Sequence, residues 1–289
     1  MYKIVIILFI IMSYSPLFSE DFYSENTNAL YKNNYDILVQ KKNIFIYDSM
    51  PTIENSISKA VNYFKKKQDE GKMDPQAYIL MDYLIRKFEL DFKIDMEKLN
   101  RSFNEMSQHI SLHFFYRIIE PKTPVKCEQL DAVNKNEWCL LKPLLCAEKK
   151  VENNFLEFLD EQICKGKYWL THVVIGLKWL KEKQCFENEI KIDEMISKSI
   201  PLLDELAKNE NCNTDLGIEA MAVLCYVGKT YLIEMCAIEE VLKVQRTDGG
   251  WGYKPTDGTS DDHTTVLALW LLSEIEYADK NPSVKWIVK

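Results

Sequence analysis

The stretch Gln245-Arg246-Thr247-Asp248-Gly249-Gly250-Trp251-Gly252 decides how the rest of the chain is read. Gly249 and Gly250 permit a sharp reversal of direction, Gln245 is placed to bond backbone groups at a helix end, and Trp251 can pack back over the bend. Gln245, Asp248, Gly249, Gly250 and Trp251 thus read as one structural turn. Apolar residues recur with helical spacing on both sides, over Tyr231 to Val244 and over Asp262 to Tyr277. The turn therefore joins an outer helix to an inner one.

The same arrangement recurs upstream. Ile53, Ile57, Ala60, Val61 and Phe64 form one stripe, with Ser49 or Thr52 as a cap and Pro51 near the start. Tyr78, Met81, Leu84, Ile85 and Phe88 form the next, so Thr52 to Phe88 is expected to be a helical hairpin. Further pairs are expected at Lys93 to Ser107 with His109 to Ile119, at Phe155 to Gln162 with Trp169 to Lys181, and at Asp193 to Lys208 with Asp215 to Val227. Glu120 to Lys135 reads as a loop and Trp138 to Ala147 as a short helix. Gln68, Gln162 and Gln245 each follow an apolar pair, which implies a repeat of about 40 residues. Units of that size cannot bury their apolar faces alone and must stack or close into a ring. The expected class is all-α.

Composition agrees with that class. Only nine Gly and nine Pro occur in 289 residues, and no long stretch alternates apolar and polar residues. The formal charge of −8 argues against a nucleic-acid partner. Lys65, Lys66 and Lys67 read as a solvated face at a helix end. Lys3 followed by the apolar run Ile4 to Met12 gives residues 1–19 the character of a secretory signal, too short to span a bilayer. Residues 20–48 are poorly patterned, and residues 49–289 are expected to form the helical domain. In a secreted chain the even set Cys127, Cys139, Cys146, Cys164, Cys185, Cys212, Cys225 and Cys236 is expected to form disulfides, with pairing left open. No stable membrane span is expected.

The turn at Gln245 to Trp251 resembles the Gln-Trp repeat of terpenoid cyclases and protein prenyltransferases, and Asp261-Asp262-His263-Thr264-Thr265 with Val266 to Leu272 is similar to the inner helix that follows it there. The resemblance covers Tyr231 to Tyr277 closely and weakens upstream. It implies an α/α toroid, a partial α6-α6 barrel of about five or six hairpins. Such turns brace the ring even in enzymes, so they speak for fold more than for activity.

Ser260-Asp261-Asp262-His263-Thr264 resembles the acid motif of class II terpene cyclases, with Asp262 at the central place and Asp261 and His263 beside it. Proton donation to an alkene would require a buried carboxyl kept protonated. The plainer reading is that Asp261 or Asp262 caps the inner helix. A carbohydrate-active barrel using Asp215, Asp261 or Asp262 is a weaker alternative. Glu105, His109 and His113 would share one helix face, but they read as solvated or core side chains; no metal or cofactor is expected. Trp169, His172, Tyr253 and Trp270, with Tyr168, either line a lipophilic pocket or fill the core. The function expected on these grounds is non-catalytic binding of a hydrophobic small molecule or an extracellular protein, with a degenerate cyclase-like or prenyltransferase-like enzyme as the alternative.

Overall fold

A computed structural model describes residues 51–287 except 106–108, 125, 153 and 187, and of Cys127 and Asn136 the backbone only. The signal reading at 1–19 and the segment 20–48 lie outside the described residues. Those described belong to one compact unit that begins at Pro51.

Helix α1 (Ile53–Asp69) begins where the Thr52 hydroxyl accepts from the Asn55 N–H at 3.1 Å. Gly71, at φ 67°, turns the chain into α2 (Pro75–Phe88), which is capped by Asp74 and has Pro75 in its first turn. There follow α3 (Met96–Glu105), α4 (Ile110–Phe115), α5 (Trp138–Leu144), α6 (Asn154–Ile163), α7 (Lys167–Lys183), α8 (Glu189–Asn209), α9 (Asp215–Tyr226), α10 (Met235–Lys243) and α11 (Asp262–Glu276). A helix is present at each expected place, with ends shifted by a few residues, and α6 packs on α7 and α8 on α9 as expected of pairs. The expected loop carries a 3₁₀ turn at Cys127–Ala132. No strand occurs among the described residues; the one bridge joins Trp251 to Asp261. The protein is all-α.

Burial separates inner from outer helices. Every residue of α9 is buried, and so is α11 from Thr264 to Glu274, as expected of helices apolar on all sides. In contrast, α8 buries only Ile192, Met195, Ser199 and Leu203, and α10 only Ile238, Val241 and Leu242. α11 packs on α1, α2 and α9; α9 packs on α7 and α8; α7 packs on α5, α6 and α8; and α4 touches both α5 and α2. Gly176 makes the α5–α7 contact possible, because a Cβ there would lie 1.9 Å from the Cys139 carbonyl oxygen.

Inner helices α2, α7, α9 and α11 run in the same direction. Toward their C-terminal ends Tyr83, Trp179, Tyr226 and Trp270 surround Trp286, with ring centroids 4.8, 5.4, 5.5 and 4.9 Å away respectively. Arg86 holds this terminal segment by donating to the Lys285 and Trp286 carbonyls. Below the rings, Glu274 accepts from Lys87, Tyr83 and the Trp270 indole. That end is filled with side chains.

The Gln-Trp turn reaches back to the first hairpin. Gln245 donates to the carbonyls of Ser56 in α1 and of Gly249, which places its amide between two elements rather than at the end of its own helix. Gly249 has φ 94°, and a Cβ there would fall 2.3 Å from the Lys59 carbonyl oxygen, so glycine is required twice over. Asp248 accepts from Gly250 N–H and Ser260, and the buried Trp251 indole donates to Val241.

The cysteines pair less than expected. Cys146 and Cys185 form a disulfide. Cys139, Cys164, Cys212, Cys225 and Cys236 carry free thiols, and the Cys127 side chain lies outside the described atoms. Cys139 and Cys225 are buried in inner packing and act as small apolar residues there.

Candidate functional site

At the opposite end, the N-termini of α2, α7, α9 and α11 bring together a polar cluster. Its centre is Asp215, the first residue of α9, placed by the Thr214 cap and by its own N–H donating to the Tyr253 carbonyl. The Asp215 carboxylate is 2.9 Å from His263 Nδ1 and accepts from Thr264 at 2.6 Å and from Tyr168 at 2.8 Å. Burial opposes its charge, but these donors and the His263 imidazolium outweigh that and hold it below the usual carboxylate range. For His263 the balance has the same form. Burial disfavours the cation, yet the bond to Asp215 and the surrounding carboxylates raise its proton affinity to about 9.

One helical turn beyond Asp215 lies Glu219, on the same face of α9. It is 2% exposed, and its Oε2 has no hydrogen-bond partner among the described residues. Burial pushes its carboxyl up to about 7. His172 Nε2 stands 3.6 Å from the other oxygen, too far for a hydrogen bond. Burial, then the charge of His263, lowers His172 to about 4, so near neutrality the two form no ion pair. The acids are buried, whereas the imidazoles of His172 and His263 remain 33% and 36% exposed. Buried carboxylates beneath partly exposed rings make up a polar cluster, here called the bowl, with the exposed Tyr253 beside it, its hydroxyl 3.4 Å from that of Tyr168.

The sequence-derived site residues divide among several roles. Asp261 is the cap of α11, accepting from Thr264 N–H at 2.9 Å. Asp262 faces the first hairpin: Tyr63 donates to Oδ1 at 2.6 Å, Lys67 stands 3.1 Å from the same oxygen, and Asp74 N–H donates to Oδ2. Both oxygens are thus engaged as acceptors. Lys67 is accordingly more than part of a solvated run, while Lys65 and Lys66 pair with Asp91 and Glu70. His263 and His172 line the bowl. Trp169 is half-buried under the Lys165 ammonium, 4.1 Å from its ring centre. Trp270 is buried against Trp286, at the other end of the helices from the bowl. Glu105 ends α3 while His109 precedes α4, so these two and His113 do not share one helix.

Asp215, Asp261 and His263 each offer one ligand atom within 4.8 Å of the others, a spacing that would admit a small cation. That face also holds donors, since Thr264 bonds both carboxylates. Glu219, Asp74, Tyr63 and Lys67 are site residues that sequence reasoning passed over. For Glu219 a signal existed: a lone acid inside the apolar run Leu216 to Tyr226, four residues after Asp215. Comparison with family models, curated proteins and solved structures yields no match.

Proposed function

We propose that the chain forms an α/α ring whose working surface is the polar bowl, where it binds a small polar ligand and exchanges a proton with it. Ring closure is supported by the circuit of contacts from α2 through α11, α9, α7, α5 and α4 back to α2. Contacts of the last hairpin with the first, through Gln245 and Asp262, support it as well.

The single observation that carries the reading is Glu219. A buried carboxyl with a proton affinity of about 7 and one unpartnered oxygen is poised to give or take a proton at neutral pH. The ion pair of Asp215 with His263 supplies fixed charge beside it, and neutral His172 offers a hydrogen-bonding nitrogen. A hydrophobic ligand in the ring centre fits poorly, because Trp286 and its four neighbours fill that end. An Asp262 acid fits poorly too, since Lys67, Tyr63 and Asp74 use both of its oxygens. Residues 1–19 and the Cys146–Cys185 disulfide support a secreted location.

A purely binding role is the second reading, favoured by the satisfied bracing contacts of Asp262. Native mass spectrometry of the purified chain, alone and with a panel of amines, sugars and hydroxy acids, tests both. An acid–base enzyme releases product in the wild type and accumulates bound substrate in Glu219→Gln. A binder retains the same ligand in both proteins. Absence of any retained or stabilising polar ligand would remove the bowl as the working site.

A further inference from the structure

A cavity that shares no residue with the bowl lies between α5, α6 and the 3₁₀ turn at Cys127–Ala132. Its volume of about 420 Å³ falls in the range of small-molecule sites. Three aromatic rings form one wall. Phe155 is buried and stacks on Phe158 at 5.7 Å, and Phe158 leans on Trp138 at 6.0 Å. The Trp138 indole donates to the Leu130 carbonyl at 3.1 Å, which fixes the orientation of its ring. Trp138 and Phe158 are only partly buried, and the Lys135 ammonium also stands over the Trp138 ring, 5.7 Å from its centre.

Lys142 stands against this wall, its ammonium 4.3 Å from the centre of the Trp138 ring and 5.2 Å from that of Phe155. Among the described residues no carboxylate bonds it, although Asp131 and Glu152 also line the cavity. Burial makes the lysine less ready to hold its proton. Glu152 and Asp131 act on it through space alone, and a cation held over aromatic faces with no carboxylate bonded to it is stabilised by an anion that bonds it directly. Lys149 adds positive charge at the exposed rim, offsetting the Asp131 and Glu152 carboxylates there.

We infer that this cavity binds a small organic anion with a flat aromatic body, its ring lying on Trp138 and Phe158 and its charged group meeting Lys142. The test uses the full chain and two fluorescent probes of nearly the same shape, 8-anilinonaphthalene-1-sulfonate and its uncharged counterpart N-phenyl-1-naphthylamine. The sulfonate should bind the wild type more tightly than the neutral probe. Lys142→Met, which keeps the packing of the stem, should weaken the sulfonate about tenfold and leave the neutral probe unchanged. Phe158→Ala should weaken both. Equal affinity of the two probes for the wild-type chain would overturn the inference without recourse to any variant. So would a Lys142→Met protein of unchanged thermal stability that binds the sulfonate within about twofold of wild type.

Discussion

Replacing Glu219 with glutamine keeps the shape of the side chain and removes its proton equilibrium. Burial raises this carboxyl from 4.5, its ordinary value, to about 7. Between those two values the unfolded chain has released the proton while the folded chain still holds it. Folding then binds a proton, and stability falls as pH rises. The contribution is fully present below the unfolded value and is lost as pH passes through about 7. A shift of this size corresponds to about 3 kcal/mol. Glutamine has nothing to titrate, so the stability of Glu219→Gln relative to wild type should climb by about that amount between about pH 4.5 and about pH 8.

Urea unfolding followed by circular dichroism, repeated across that interval, measures the difference directly. His172, shifted downward to about 4, works in the opposite sense: the unfolded chain binds its proton first, so its contribution grows as pH rises from about 4 toward the ordinary histidine range. That term is common to both proteins and cancels in the difference. His263 feels the Glu219 charge, which is why the comparison stops short of its own titration near 9. A difference that stays flat within about 0.5 kcal/mol would show that Glu219 titrates alike in the folded and unfolded chains. The acid–base reading of the bowl would then lose its support.

Two further predictions concern the scaffold. Trp286→Ala should cost about 3 kcal/mol, the lower end for a buried tryptophan, because the orphaned indole N–H and the anchoring of the tail offset part of the ring contacts. Thermal unfolding checks it, and a loss below about 1 kcal/mol would mean the tail is not part of the cooperative core. Gly176→Ala should destabilise by about 2 kcal/mol or more, since its methyl would meet the Cys139 carbonyl of α5, whereas Gly258→Ala, with nothing within 4 Å, should be near neutral. Equal melting temperatures for the two glycine variants would contradict the close approach of α5 and α7.

The elements that sequence reasoning captured are those governed by local rules. Apolar spacing in Ile53 to Phe64 reports one helix face because that face alone is buried. The Gln245 to Trp251 turn was legible because φ at Gly249 demands glycine and Trp251 needs a nearby cover. What escaped depends on contacts between residues far apart in the chain. Lys67 looks like its two neighbours until Asp262 is set beside it. Trp270 has the same local pattern whether it lines a pocket or fills a core; Trp286, in a segment with no helical period, decides the matter.

Eight cysteines permit many pairings, and only proximity selects Cys146 with Cys185. Glu219 is the instructive case, because local reasoning did contain its signal. An acid embedded in an apolar helix costs free energy unless a partner compensates it. Here Thr171 supplies a hydrogen bond, but His172 stands off at 3.6 Å and Oε2 is left unbonded among the described residues. Glu274 faces the same problem on α11 and resolves it with Lys87 and two further donors. The two buried acids therefore differ in kind. One is satisfied beside the rings that surround Trp286, and the other keeps an oxygen unbonded among the described residues, at the opposite ends of the same helices, where a ligand could supply the bond.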